Sequence, residues 1–182
     1  MSRRFIGALI VALLALPPVR HALERVMVTH MLVQIPLLAT AGALAATSLP
    51  SHWKTRIASW NADGISGMTM ALIASTWWMV PRALDWTLAS PFMETAKFAS
   101  LPLFVGAPVA LSWSRLGGMG RGLVMANVLP MWVVVGWLYI AAPVRVCNFY
   151  LVDQQVVTGT GLVAVAAALS LVAGAAAFRR TQ

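Results

Sequence analysis

The feature that most limits how this chain can fold is a series of long apolar stretches separated by short polar turns. The stretch VMVTHMLVQIPLLATAGALAA, residues 26–46, has about the twenty residues that an α-helix needs to cross the apolar part of a bilayer. Of the 182 residues, 60% are hydrophobic and only 10% are charged, whereas about 25% of the residues in a soluble domain are charged. Because backbone groups in lipid must find hydrogen-bond partners within the protein, the sequence predicts an all-α integral membrane protein.

The apolar stretches predict one membrane domain, residues 1–182, built as a polytopic bundle of about six transmembrane helices. The first stretch follows Arg3 and Arg4 and has features of both a signal peptide and a short transmembrane helix. We favour a retained helix, because ALPPV is a poor cleavage site and because Pro17 and Pro18 are typical of a helix end. The predicted helices span residues 5–19, 26–47, 64–84, 92–113, 122–144 and 155–178.

Basic residues divide unevenly between the two sets of loops. The termini and the even-numbered loops hold eight basic residues and one acid, whereas the odd-numbered loops hold five basic residues and four acids. By the positive-inside rule both termini face the cytoplasm, which predicts a multi-pass protein of a bacterial inner (plasma) membrane. The eight basic residues are Arg3, Arg4, Lys54, Arg56, Arg115, Arg121, Arg179 and Arg180.

Several functional classes find no support in the sequence. The net charge of +8 does not indicate a nucleic-acid partner, because the basic residues flank apolar stretches, as in proteins that contact membrane lipid. The single cysteine, Cys147, excludes a disulfide within the chain. There is no HExxH, no CxxC and no glycine-rich phosphate loop. We therefore expect a protein that acts by binding and is not an enzyme.

Polar side chains occur within the second apolar stretch, where they need partners. Met27, His30, Met31 and Gln34 recur at helical spacing and so share one face. A histidine in this position either bonds a carbonyl or hydroxyl group of a neighbouring helix, which is the commoner role, or binds a metal.

Polar residues also open the sixth predicted helix, which should begin at the same membrane face as the second. Because buried polar groups seek one another, we predict that His30 and Gln34 lie close to Asp153. Gln34, Asp153 and Gln154 are accordingly predicted to have structural roles.

Soft metal ligands concentrate at the predicted outer face. Imidazole, thioether and thiolate groups together select cuprous copper over hard cations. The alternative is that the methionines only pack, as is usual in an apolar chain. No haem is expected, because a bis-histidine haem needs two histidines at depth and only His30 qualifies. The predicted copper ligands are His30, Met31, Met79, Met93 and Cys147.

Four motifs, in order along the chain, resemble the CtaG family of membrane proteins required for cytochrome c oxidase assembly. HMLVQIPLLATAG, beginning at His30, is similar to the His-Met-Leu-x-His/Gln signature of that family. STWWMVP resembles Trp-His-x-Pro, with Met79 in place of the histidine. PFMETAKFASLPLFVGAPVALSW resembles the next helix, with Met93 and Glu94 near its start, and LVDQQVVTGTG resembles the Asp-Gln-Gln motif that opens a late helix.

The resemblance covers roughly residues 17–166 and implies a cytochrome c oxidase assembly factor that holds or delivers copper at the outer face of the inner membrane. The implied partners are an oxidase subunit or a periplasmic copper carrier. The second hypothesis is a non-catalytic accessory subunit of a respiratory or other membrane complex, in which His30 and Asp153 bond between helices.

Overall fold

The computed structural model describes residues 3–180, and in this part of the chain all the regular structure is helical. The predicted all-α fold is therefore confirmed. Residues 1, 2, 181 and 182 of the predicted domain lie outside the described residues. The helices are α1 (Arg3–Ala15), α2 (Pro17–Glu24), α3 (Met27–Thr47), α4 (Ser51–Trp60), α5 (Ile65–Met79), α6 (Pro81–Ala89), α7 (Pro91–Ser112), α8 (Gly118–Ala141) and α9 (Val152–Arg180).

Four helices among the described residues are long and apolar enough to cross a membrane: α3, α7, α8 and the part of α9 over Val152–Ala176. A fifth span is possible if α1 and α2, which meet at 73°, count as one broken helix. The structure thus supports four or five spans and not the predicted six.

The predicted helix 64–84 is the clearest departure. It divides into α5 and α6, because Val80 is extended (φ −70°, ψ 123°) before Pro81, as expected for a residue whose α conformation clashes with a following proline ring. The 15 residues of α5 rise only about 22 Å, which is less than the roughly 30 Å of a bilayer's apolar core.

A similar break shortens the predicted helix 5–19. Leu16 is extended (ψ 127°) before Pro17, so α1 ends at Ala15 and α2 runs off at an angle. This bend carries Glu24, at the end of α2, across one end of the bundle towards the starts of α3 and α7.

Helices α3 and α7 approach each other through glycine. The α hydrogens of Gly42 face the backbone of Pro102, and those of Gly106 face the carbonyl of Ala39. A Cβ at either glycine would clash with the facing backbone. Small residues that allow such close approach are typical of helix contacts in membranes, where no hydrophobic effect draws helices together.

The outward surfaces of the bundle are apolar. Val134 and Trp137 on α8 and Leu171 and Val172 on α9 are each at least 65% exposed. Exposed apolar side chains in this density fit contact with lipid tails and not with water.

Polar contacts are gathered at the two ends of the bundle. At one end Asn61 donates from Nδ2 to Ser112 Oγ (2.9 Å), and its backbone carbonyl accepts from Arg115 (2.9 Å). The other end contains the C-terminal end of α2, the starts of α3 and α7, and the segment before α9. This second end contains the candidate functional site.

Candidate functional site

A cluster of buried polar and charged side chains surrounds Lys97, near the start of α7. The Lys97 side chain is fully buried. Its ammonium donates to Glu24 Oε1 (2.6 Å), His30 Nε2 (3.1 Å) and Gln34 Oε1 (3.1 Å). An ammonium group has three protons to donate, so all of them are used. We call the charge cluster the set Arg20, Glu24, His30, Gln34, Glu94, Lys97 and Tyr150.

The hydrogen bonds of the cluster determine the state of His30. The Tyr150 hydroxyl donates to the backbone carbonyl of Glu24 (2.8 Å) and lies 2.7 Å from His30 Nδ1. Since the Tyr150 proton is used on that carbonyl, Nδ1 must carry the proton that it shares with the tyrosine oxygen. Nε2 then accepts from Lys97. His30 is therefore neutral, and neither ring nitrogen has a free lone pair for a metal.

Three ion pairs balance the charges of the cluster, and the longest of them joins Arg20 Nε to Glu24 Oε2 (3.9 Å). Lys97 pairs with Glu24, and Arg20 Nε lies 2.8 Å from Glu94 Oε1. The Lys97–Glu24 pair is nearly dry, with 0% and 9% of the side chains exposed, whereas Arg20 and Glu94 are 28% and 15% exposed. The cluster thus passes from a buried pair to a partly solvated pair at the surface.

The local helix geometry of α3 presents His30 and Gln34 to Lys97. Residues His30–Gln34 form a π-helical turn, in which the Ile35 N–H donates to the His30 carbonyl five residues earlier. Pro36 follows this turn and cannot donate the backbone bond that a regular α-helix would need there. Single π-helical turns of this kind are often found at functional sites.

The predicted partner of His30 and Gln34 was wrong. Asp153 is exposed and has no part in the charge cluster, and the nearby carboxylate is that of Glu24. Gln154 has a structural contact, because its Oε1 accepts from the Met27 N–H (3.3 Å).

The five predicted copper ligands do not form one group. His30 is occupied by the charge cluster, and Cys147 is fully buried with Sγ 4.0 Å from the Tyr139 hydroxyl. Met93 lines an apolar groove between α5 and α7. Among the described residues no three or more His, Cys, Asp and Glu side chains are grouped so that they could hold a metal ion.

Cys147 is also in an unfavourable chemical state for a ligand. It lies in the segment between α8 and α9, where burial and the nearby Asp85 carboxylate raise the pKa of the thiol to about 12. Metals bind the thiolate, which this environment disfavours. Burial likewise raises the pKa of Tyr150 above its ordinary value, so the phenol stays protonated and serves as a hydrogen-bond donor.

Met31 and Met79 do share a site. Together with Met131 of α8 they line a cavity of about 270 Å³ between α3, α5 and α8. Trp78 and Trp132 also line it, and none of the described residues that line it is charged. We call this cavity the methionine cavity. Three thioethers and two indoles make it a soft, apolar environment.

The charge cluster opens into a polar pocket of about 380 Å³ at the surface. We call it the polar pocket. Leu88 and Phe149 contribute apolar surface to it, and its charged or polar lining includes Arg20, His21, Glu24, Arg25, Glu94 and Tyr150.

Sequence reasoning missed the central residue of the cluster. Glu94 and Lys97 lie near the start of the predicted helix 92–113, but neither was among the predicted site residues. The signal that could have found Lys97 is its position inside an apolar span, where an ionisable residue needs a partner. No sequence feature distinguishes Met131 as a site residue, because a methionine in an apolar stretch usually only packs.

These features define the class of protein, which over residues 3–180 is an all-helical bundle with four helices able to span a membrane. No protein-family model, curated protein or solved structure matches the chain in comparisons with known proteins.

Proposed function

We propose that this chain is a non-catalytic, CtaG-like assembly factor for a cytochrome c oxidase, which holds cuprous copper in the methionine cavity and passes it to an oxidase subunit or a periplasmic carrier. It resides in a bacterial inner membrane with both termini in the cytoplasm. The observation that carries the proposal is that Met31, Met79 and Met131, from three helices, line one cavity. Two of these residues belong to motifs on which the family resemblance rests.

The chemistry of the cavity supports a cuprous ion over other metals. Thioethers are soft ligands that favour copper(I), whereas Mg²⁺ and Ca²⁺ require oxygen ligands. Trp78 and Trp132 also line the cavity, and aromatic rings attract cations. His30 is left out of this proposal, because the Lys97 ammonium next to its Nε2 repels a metal cation.

The test is an anaerobic titration of the purified full chain in detergent with copper(I) and a competing chelator. We expect one ion per chain, with binding at least about tenfold weaker in Met79→Leu and in Met131→Leu, since each change removes a thioether ligand. Met93→Leu is the matched control, because Met93 lines a different groove. Equal binding in all four proteins, or no binding, would contradict the proposal.

The second candidate is a structural subunit of a membrane complex. It is supported by the charge cluster, in which every Lys97 proton and both His30 nitrogens have partners within the chain. Such a cluster holds helices together and needs no ligand. The two functions predict different phenotypes for a strain that lacks the protein. Lost oxidase activity that added copper restores supports copper delivery, whereas lost activity that copper does not restore supports the structural role.

A further inference from the structure

The polar pocket has one basic side chain, Arg25, whose charge is not balanced by an ion pair within the described part of the chain. Glu94 is paired with Arg20, and Glu24 is paired with Lys97. Arg25 also lines the pocket, is exposed, and forms no ion pair with any described residue. Because Glu24 and Glu94 are already paired with Lys97 and Arg20, the guanidinium of Arg25 is available to attract an anion.

The place of the pocket in the bundle indicates where such an anion would come from. Arg25 stands two residues before α3 begins at Met27, and Glu94 lies in the first turn of α7, which begins at Pro91. Both helices are long and apolar enough to span a membrane. The pocket therefore lies at the level where apolar spans begin, and in a bilayer that level is occupied by lipid headgroups.

The chemistry of the pocket matches a phosphate ester better than a free metal or a neutral ligand. A guanidinium binds phosphate oxygens through two parallel hydrogen bonds. Leu88 and Phe149, the latter 56% exposed, add apolar surface beside the charged residues. That surface suits the glycerol and first acyl carbons of a lipid, which a free phosphate ion lacks.

We propose that the polar pocket binds the phosphate group of a membrane phospholipid, with Arg25 as its charged contact. The lipid would lie over the Arg20–Glu94 pair and cover the solvent-facing side of the charge cluster. This site shares no lining residue with the methionine cavity. The lipid proposal can therefore be tested independently of copper binding.

The test measures the melting temperature of the full chain in an uncharged detergent with three additives. These are dihexanoyl phosphatidylglycerol, dihexanoylglycerol, which lacks the phosphate, and inorganic phosphate. We expect phosphatidylglycerol to raise the melting temperature in a saturable way. Dihexanoylglycerol and inorganic phosphate at the same concentrations should have little effect, because each supplies only one half of the ligand.

Arg25→Gln should weaken the apparent affinity for phosphatidylglycerol at least about fivefold, since it removes a charge-assisted contact. This variant should fold, because Arg25 is exposed and its side chain has no partner among the described residues. Arg82→Gln is the matched control. Arg82 is also exposed, but it lies over the Trp86 ring and does not line the pocket.

Two results would overturn the proposal. One is a phosphatidylglycerol effect that is absent or equal in the wild type and Arg25→Gln. The other is an inorganic phosphate effect as large as that of phosphatidylglycerol, which would make the pocket an anion site with no preference for lipid.

Discussion

Lys97 is the residue on which the polar end of the bundle depends. Its side chain is fully buried inside an apolar span, and among the described residues Glu24 is the only carboxylate that it contacts directly. A buried ion pair contributes little net stability compared with apolar packing, but removal of one partner leaves an uncompensated charge. The stability of this cluster therefore depends on each buried charge keeping a partner of opposite charge.

Glu24→Gln should lower the free energy of unfolding by about 3 kcal/mol, because it leaves the Lys97 ammonium buried without a counter-charge. The double variant Glu24→Gln with Lys97→Met should be less destabilised than the two single changes added together, since it removes both charges. Denaturant unfolding of the four proteins in one detergent measures this coupling.

The control for that cycle is Glu94→Gln. Its pair with Arg20 is partly exposed, with 28% and 15% of the side chains accessible, so the loss should be no more than about 1 kcal/mol. If Glu94→Gln proves as costly as Glu24→Gln, burial does not determine which pair matters, and the arrangement around Lys97 is misassigned.

Cys147 should react very slowly in the folded protein. Its side chain is fully buried and its thiol pKa is raised to about 12, and the thiolate is the reactive form. At pH 7.5 we expect a maleimide to modify the folded chain at least about a hundredfold more slowly than the denatured chain.

Between pH 7 and pH 9 the rate in the folded protein should stay low, whereas the rate in the denatured protein should rise towards the ordinary thiol pKa of about 8.5. Mass spectrometry of timed samples follows both reactions. Comparable rates for the folded and denatured chains would show that Cys147 is accessible.

At the scale of helices, glycine sets the distance between α3 and α7. The backbone of Ala39 leaves no room for a side chain at Gly106, and Pro102 leaves none at Gly42. The site depends on this contact, because α3 supplies His30 and Gln34 while α7 supplies Lys97.

Gly106→Val should therefore destabilise the bundle by about 2–3 kcal/mol, because the added carbons force two backbones apart. It should also weaken the charge cluster without changing any of its residues. Gly174→Val in α9 is the control, because no atom lies within 4 Å of a Cβ placed there. Thermal unfolding in detergent compares the two, and an equal effect of both variants would contradict the close contact.

At the scale of the whole molecule, the buried position of Cys147 rules it out as a topology probe, so engineered cysteines are needed. In a Cys147→Ala background, Val144→Cys lies in the segment before α9 and Ala62→Cys lies between α4 and α5, where both positions are exposed. They are at opposite ends of the bundle.

With both termini cytoplasmic, a membrane-impermeant maleimide should label Val144→Cys in intact spheroplasts, because the segment before α9 then faces outward. Ala62→Cys should be labelled only after permeabilisation. The reverse pattern would place the polar pocket on the cytoplasmic side and would contradict the proposed copper transfer at the outer face. The measurement is gel-shift or mass-spectrometric detection of the label.

The sequence by itself determined the class of the protein and most of its helices. Apolar stretches of sufficient length, broken by prolines and basic turns, allow few structures other than a helical bundle in a membrane. The starts of α3 and α7 were predicted within one residue, at 26 and 92 against Met27 and Pro91. Pro17 and Pro81 end α1 and α5 earlier than predicted, because the predicted helices 5–19 and 64–84 ran through these prolines.

Only the tertiary structure decided which polar residues meet. Glu24 and Lys97 are 73 positions apart in sequence, and His30 and Tyr150 are 120 apart, so no local pattern could have paired them. The same holds for Met131, which joins Met31 and Met79 because α8 packs beside α5 and lines the same cavity as α3. Periodicity shows which face of one helix is polar, but the face that a neighbouring helix presents in return depends on the packing of the whole bundle.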